Sequence, residues 1–77
     1  MLRKPLAVQR REYVESTGPS IYGIKRMDRV LSPRGEEYIF LGVREGEVFL
    51  ERAVKDPRAE PFVKVGSSEF ADWKKQI

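Results

Sequence analysis

Apolar residues recur at nearly every second position through the middle of this chain, and the pattern changes period towards both ends. The densest stretch is "GEEYIFLGVREGEVFLER", residues 35–52. From Glu37 to Val43, Ile39, Leu41 and Val43 alternate on one side while Tyr38 and Phe40 take the other. A strand apolar on both faces is usually central in its sheet, because each face needs a cover. Glu45-Gly46 supplies a tight turn, since Gly46 accepts positive φ at little cost. The predicted return strand, Glu47–Val54, puts Val48, Leu50 and Val54 on one face, with Arg52 interrupting. Phe49, Glu51 and Ala53 take the other. The stretch reads as a hairpin at the centre of the fold.

Flanking segments carry weaker periodicity. Residues 20–31, "SIYGIKRMDRVL", predict a first strand in which Tyr22 and Ile24 share a face, Ile21 and Met27 fall on the other, and Gly23 marks a bulge or bend. In "SPRG", residues 32–35, Pro33 presets φ and Gly35 closes a four-residue turn. "KDPRAEP" is a loop punctuated by Pro57 and Pro61, and a short strand, Phe62–Val65, ends at Gly66. The tail predicts a helix over about residues 68–76. Ser67 or Ser68 offers an N-cap, Glu69 and Asp72 precede Lys74 and Lys75 as the helix dipole favours, and Phe70, Trp73 and Ile77 share one face. At the other end, "PLAVQRREYVES" brings Leu6 and Tyr13 together at helical spacing with Ala7 and Val14 beside them, whereas a strand would interleave Arg10 and Glu12 with Leu6, Val8 and Val14. Residues 1–19 therefore read as a short N-terminal helix or a docked arm, ended by the breaker pair Gly18-Pro19.

These elements make one mainly β domain over residues 20–77 with a short C-terminal helix. The expected architecture is a small, strongly curved antiparallel sheet, an SH3-like or Tudor-like partial barrel. The strand Tyr38-Ile39-Phe40-Leu41-Gly42-Val43 followed by Phe62-Val63-Lys64-Val65 is similar to small bacterial barrel domains, a resemblance that covers about half the chain and implies no activity. Barrels of this size host many functions, so the architecture assigns none.

Composition narrows the chemistry. The chain has 77 residues and no cysteine, which removes disulfides and thiolate metal sites. It also has no histidine, which removes the commonest general base and metal ligand. A catalytic role is not expected, nor is a cofactor or a metal. The carboxylates Glu36, Glu37, Glu45, Glu47 and Glu51 fall at turns and strand ends, where like charges keep edges soluble. Phe40, Phe49, Phe62, Phe70 and Trp73 read as core rather than as a cage for a methylated cation. No apolar run reaches the ~18 residues of a membrane span, and Gln9, Arg10 and Arg11 cut off the apolar start too early for a secretory leader. The expected setting is cytoplasmic.

The net charge of +3 is unevenly spread. Residues 1–34 hold eight basic and three acidic groups, a net +5, against seven basic and nine acidic groups, a net −2, in residues 35–77. Arg10, Arg11, Lys25, Arg26, Arg29 and Arg34 form a candidate stripe for phosphates or another acidic partner, with Tyr22 and Tyr13 placed to stack on unpaired bases. The leading expectation is thus a non-catalytic module contacting nucleic acid backbone or an acidic partner. The alternative is a protein-interaction or assembly domain, as a homodimer or accessory subunit, using an apolar patch of Tyr38, Phe40 and Phe49 on the central hairpin.

Overall fold

The computed structural model describes residues 4–75. Helix α1 spans Leu6–Ser16 and is followed by strands β1 (Ser20–Ile21), β2 (Ile24–Lys25), β3 (Arg29–Leu31), β4 (Glu37–Arg44), β5 (Glu47–Arg52) and β6 (Phe62–Gly66). A one-turn helix, α2 (Ser67–Phe70), precedes β7 (Lys74–Lys75). The fold is mainly β. Two antiparallel sheets form: the small pair β1-β2, and a five-stranded sheet in the order β6-β5-β4-β3-β7.

The expected strong curvature is not found. The larger sheet is open, with no ladder joining its end strands β6 and β7. The predicted first strand is broken into three pieces. Tyr22 and Gly23 have φ values of 53° and 76°, so β1 and β2 close on a two-residue turn whose central residues are both left-handed. Met27, at φ 71°, then redirects the chain into β3. The Glu45-Gly46 turn is as anticipated, at φ 51° and 77°. So is "SPRG", where Gly35 donates to the Ser32 carbonyl at 2.9 Å and Ser32 Oγ accepts from the backbone of Arg34 and Glu36.

The tail departs most from expectation. The helix stops at Phe70, Gly66 rather than a serine stands at its N-cap, and no side chain caps it. Lys74 and Lys75 instead pair with Leu31 and Val30. Four residues of helix satisfy few backbone groups, whereas extending the chain along β3 supplies partners for an otherwise bare edge. Ile77, expected to share the helical face of Phe70 and Trp73, lies outside the described residues. Phe70 and Trp73 still pack together, with centroids 5.4 Å apart, against Phe40 and Tyr38 respectively.

The two faces of the sheet have separate covers. One face holds the main core of Val30, Tyr38, Phe40, Val48, Leu50 and Val65, closed by Phe70 and by Ile24 from the β1-β2 hairpin. The other lies under α1, where Tyr13 stacks on Phe49 at 5.2 Å and on Phe62 at 5.1 Å. The simple alternation expected for β4 fails at one point. The ladder slips between Phe40 and Gly42, which leaves Leu41 as a bulge. Leu41 is fully buried yet outside the main core. The slip moves Val43 to the face of Tyr38 and Phe40. It also sets Gly42 beneath the end of α1, where an added Cβ would lie 1.8 Å from Thr17 Oγ1 and 2.5 Å from Thr17 Cβ.

That approach is backbone against side chain root, so neither partner can swing aside. The substitution Gly42→Ala is expected to lower stability by about 1–3 kcal/mol, read as a reduced midpoint in urea with an unchanged slope. Thr17→Gly in the same chain should recover part of the loss.

Candidate functional site

The cations singled out from the sequence divide by what already holds them. Arg10 projects from α1 onto Glu51, a carboxylate only 5% exposed on the covered face of β5. The pairing is bidentate, Nε to Oε1 at 2.6 Å and Nη2 to Oε2 at 2.7 Å. The hydrogen bonds and charge of Glu51 raise the Arg10 pKa above its ordinary value. A fork-on-fork pair of this kind fixes orientation as well as charge. Arg26 is also engaged internally. Its Nε donates to the Leu41 carbonyl at 3.1 Å, and its Nη2 donates to the carbonyl of Thr17. The first acceptor belongs to the bulge and the second to the end of α1, where a cation also suits the helix dipole. Arg26 thus ties both irregular points together.

The remaining cations stand on the surface. Arg29 meets Glu37 at 3.4 Å with both side chains solvated, a pair that contributes little and exchanges easily. Arg11 and Arg34 are exposed and form no ion pair among the described residues, while exposed Lys25 acts on Asp28 through its charge. Lys25 donates its backbone N–H to Asp28, which also takes Lys75 Nζ at 3.1 Å. The Lys25 N–H and then the Lys75 side chain hold the Asp28 pKa below its usual value.

Arg29 and Lys74 are brought to one face of the sheet. Arg29 pairs with Ile39, Ile39 with Glu51, and Leu31 with Lys74, so Arg29, Leu31 and Lys74 share the sheet face that α1 crosses. Tyr13 leans from α1 towards Phe62 on β6. Arg11 is two residues earlier, about 160° around a right-handed helix from Tyr13, so it is exposed on the side of α1 turned away from the sheet. Half-buried Leu31 and Ile39 lie on this same face, with exposed Arg29 and Lys74 beside them. Glu37 is the acid beside Arg29.

Three predicted site residues fall elsewhere. Tyr22 is 58% exposed at the tip of the β1-β2 hairpin, which covers the opposite face, and its hydroxyl donates to the Ser67 carbonyl at 3.0 Å. Lys25 stands on that hairpin, and Arg34 in the β3-β4 turn. Tyr13 is packed on Phe49 and Phe62. Tyr38, Phe40 and Phe49 are all buried, so no apolar patch forms from them. Lys74, by contrast, was not anticipated. Its place in a terminal helix hid that it would align with Arg29 in a sheet.

Among the described residues no cluster of three or more acids is placed to hold a metal ion, and no helix is long and apolar enough to cross a membrane. The protein-family models, the curated proteins and the solved structures contain no match to the chain.

Arg10→Ala strands a buried carboxylate and is expected to cost about 1–3 kcal/mol, whereas Arg10→Met with Glu51→Leu should recover most of that loss. Arg11→Ala should stay within about 0.5 kcal/mol of the parent. Urea titrations distinguish them. For Asp28, a lowered folded pKa means stabilisation present above the unfolded value, near 3.9, and lost as pH falls through the folded one. Asp28→Asn should therefore flatten the stability profile on the acid side, measured by thermal melts from neutral pH downwards.

Proposed function

We propose that this protein is a small non-catalytic binding module that contacts the backbone of a nucleic acid. The supporting observation is the sheet face crossed by α1, where Lys74 has no acid partner among the described residues and Arg29 has only a solvated one, with unpaired Arg11 exposed on the outer side of α1. Guanidinium and ammonium groups held at separate heights on rigid elements pair with successive phosphates and release condensed counterions. Such contacts position a strand without reading its sequence. Of the cations first considered, Arg10 and Arg26 act in this reading as the frame that holds α1 in place, and Arg11, Arg29 and Lys74 make the contacts. Lys25 lies on the adjoining hairpin as a secondary contact.

The strand order β6-β5-β4-β3-β7, with a one-turn helix between the last two strands, supports an SH3-like relationship in an opened form. A rigid sheet carrying a cationic flank suits docking better than turnover, since no histidine or cysteine is available to activate a nucleophile. The mild net charge of +3 fits modest, salt-sensitive affinity.

Fluorescence anisotropy with labelled single-stranded DNA and RNA at two salt concentrations tests the reading. Binding is expected at low salt and should weaken steeply as salt rises. Arg11→Ala with Lys74→Ala should reduce affinity several-fold and lower the slope of log affinity against log salt by about 1.4, with stability retained. Absence of binding at low salt, or unchanged binding by the double variant, would overturn it.

A further inference from the structure

β6 ends the larger sheet, and its open side follows from the ladder. Arg52 N–H donates to the Pro61 carbonyl at 2.8 Å and Ser67 N–H to the Gly46 carbonyl at 2.8 Å. Between these two bonded positions the register pairs Leu50 with Val63 and Val48 with Val65. Hydrogen bonding alternates along an antiparallel pair, so Val63 and Val65 turn their backbone groups to β5. Phe62, Lys64 and Gly66 turn theirs away from the sheet, where no described strand meets them. The edge at the other end is handled differently, because β7 is two residues long and both are lysines. β6 is longer, flanked by valines, and carries a single charge at its centre.

A cleft of about 420 Å³ runs beside this edge, lined by Val63, Val65, Tyr38, Trp73, Arg34 and Glu69 among others. The indole N–H of Trp73 is buried without an acceptor among the described residues, an uncommon state for a polar group. Strand, cleft and donor together match what an added strand needs: backbone pairing along the edge, and pockets for alternate side chains.

We infer that β6 accepts an extended acidic segment of a partner protein as a sixth strand, paired to the outward groups of Phe62, Lys64 and Gly66. Alternate apolar side chains of the segment enter the cleft beside Val63, Val65 and Trp73. The side chains between them lie on the face of Lys64, where an acid opposite it is the favourable cross-strand pair. Charge selects an acidic segment over a basic one. Among the described residues neither Lys64 nor Arg34 forms an ion pair, and the Lys64 ammonium lies over the Phe49 ring at 5.4 Å. Glu36 on the same rim is within 3.7 Å of Arg52, which leaves Glu69 as the opposing charge. Charge also disfavours a second copy of this chain, since antiparallel self-pairing over the whole of β6 sets Lys64 against its own copy. This edge lies at the opposite end of the sheet from Arg29 and Lys74.

The probe is a blocked peptide of alternating valine and glutamate, about seven residues long, with a lysine counterpart in place of glutamate. In the free protein, amide exchange by NMR should be fast at Phe62, Lys64 and Gly66 and slow at Val63 and Val65. The acidic peptide should bind in an anisotropy titration and slow exchange at the first three amides, while the basic one binds at least several-fold more weakly. Lys64→Pro removes an outward donor without touching the β5 ladder, a position where proline is tolerated, and should weaken binding about tenfold or more. Should that variant fail to fold, Lys64→Glu keeps the test decisive, because it should reverse the preference between the two peptides. Equal binding of both peptides by the parent, no protection at the three amides, or binding unaffected by either variant would overturn the inference. So would concentration-dependent protection without peptide together with a dimeric mass by light scattering, which would assign the edge to a second copy.

Discussion

Glu51 is a carboxylate in the middle of a sheet face, 5% exposed, and its burial is tolerable only because α1 brings Arg10 to it. That requirement organises the second face of the molecule. Helix α1 has little to hold it locally: no side chain caps its start, no acid lies in its first turn, and none of its residues is fully buried. An isolated helix of eleven residues is marginal in water. Its position therefore comes from contacts made across the fold, with the ion pair near its middle, Tyr13 on Phe49 and Phe62 one turn later, and Thr17 against Gly42 at its end. A charge pair is directional where apolar packing is not, so it sets which side of α1 meets the sheet. That orientation in turn leaves Arg11 exposed on the outer side of α1.

The sheet adapts to the helix in one place. A regular β4 would send Leu41 and Val43 to the same face, leaving a side chain where α1 must end. The bulge at Leu41 changes the register, puts Gly42 under Thr17, and frees the Leu41 carbonyl from the ladder. An unpaired buried carbonyl is costly. Arg26 supplies its donor and at the same time binds the Thr17 carbonyl at the end of α1. Met27, held at φ 71°, donates its N–H to the Phe40 carbonyl at 2.8 Å and returns the chain to pair with β4. The left-handed residues and the bulge are thus coupled: each leaves a backbone group that another segment satisfies.

What the sequence revealed was what local physics decides. The central hairpin, the Glu45-Gly46 turn, the Ser32–Gly35 turn and the "KDPRAEP" loop follow from period-two alternation and from residues that preset φ. The helix at the N-terminus was one of two readings offered. What stayed hidden depended on pairs distant in the chain. Arg10 looked like one more surface cation and Glu51 like a solubilising acid, because nothing local shows that residues 41 apart in sequence meet. The tail misled for the opposite reason. Its capping serines, dipole-matched charges and apolar spacing all favour a helix, yet Lys74 and Lys75 gain more from the bare edge of β3. The candidate site was only partly legible: Arg11 and Arg29 stand out in the sequence, while Lys74 required the sheet register.

The treatment of the cations separates framework from surface by a physical criterion rather than by sequence position. A guanidinium whose N–H groups end on a buried carboxylate or on backbone carbonyls, as in Arg10 and Arg26, is committed by the desolvation cost of leaving. One that meets a solvated acid, as in Arg29, gives up little on exchanging it for a phosphate. Arginine fits both tasks because the same planar fork serves a carboxylate, a carbonyl pair or a phosphate. Charge counts along the chain cannot make that distinction. The excess of basic groups in residues 1–34 therefore overstates the positive surface, while the weakly acidic second half contributes Lys74 to it. Positive potential here is set by which cations the fold leaves unpaired, and the pairing of Arg10 with Glu51 fixes the orientation of the helix that presents Arg11.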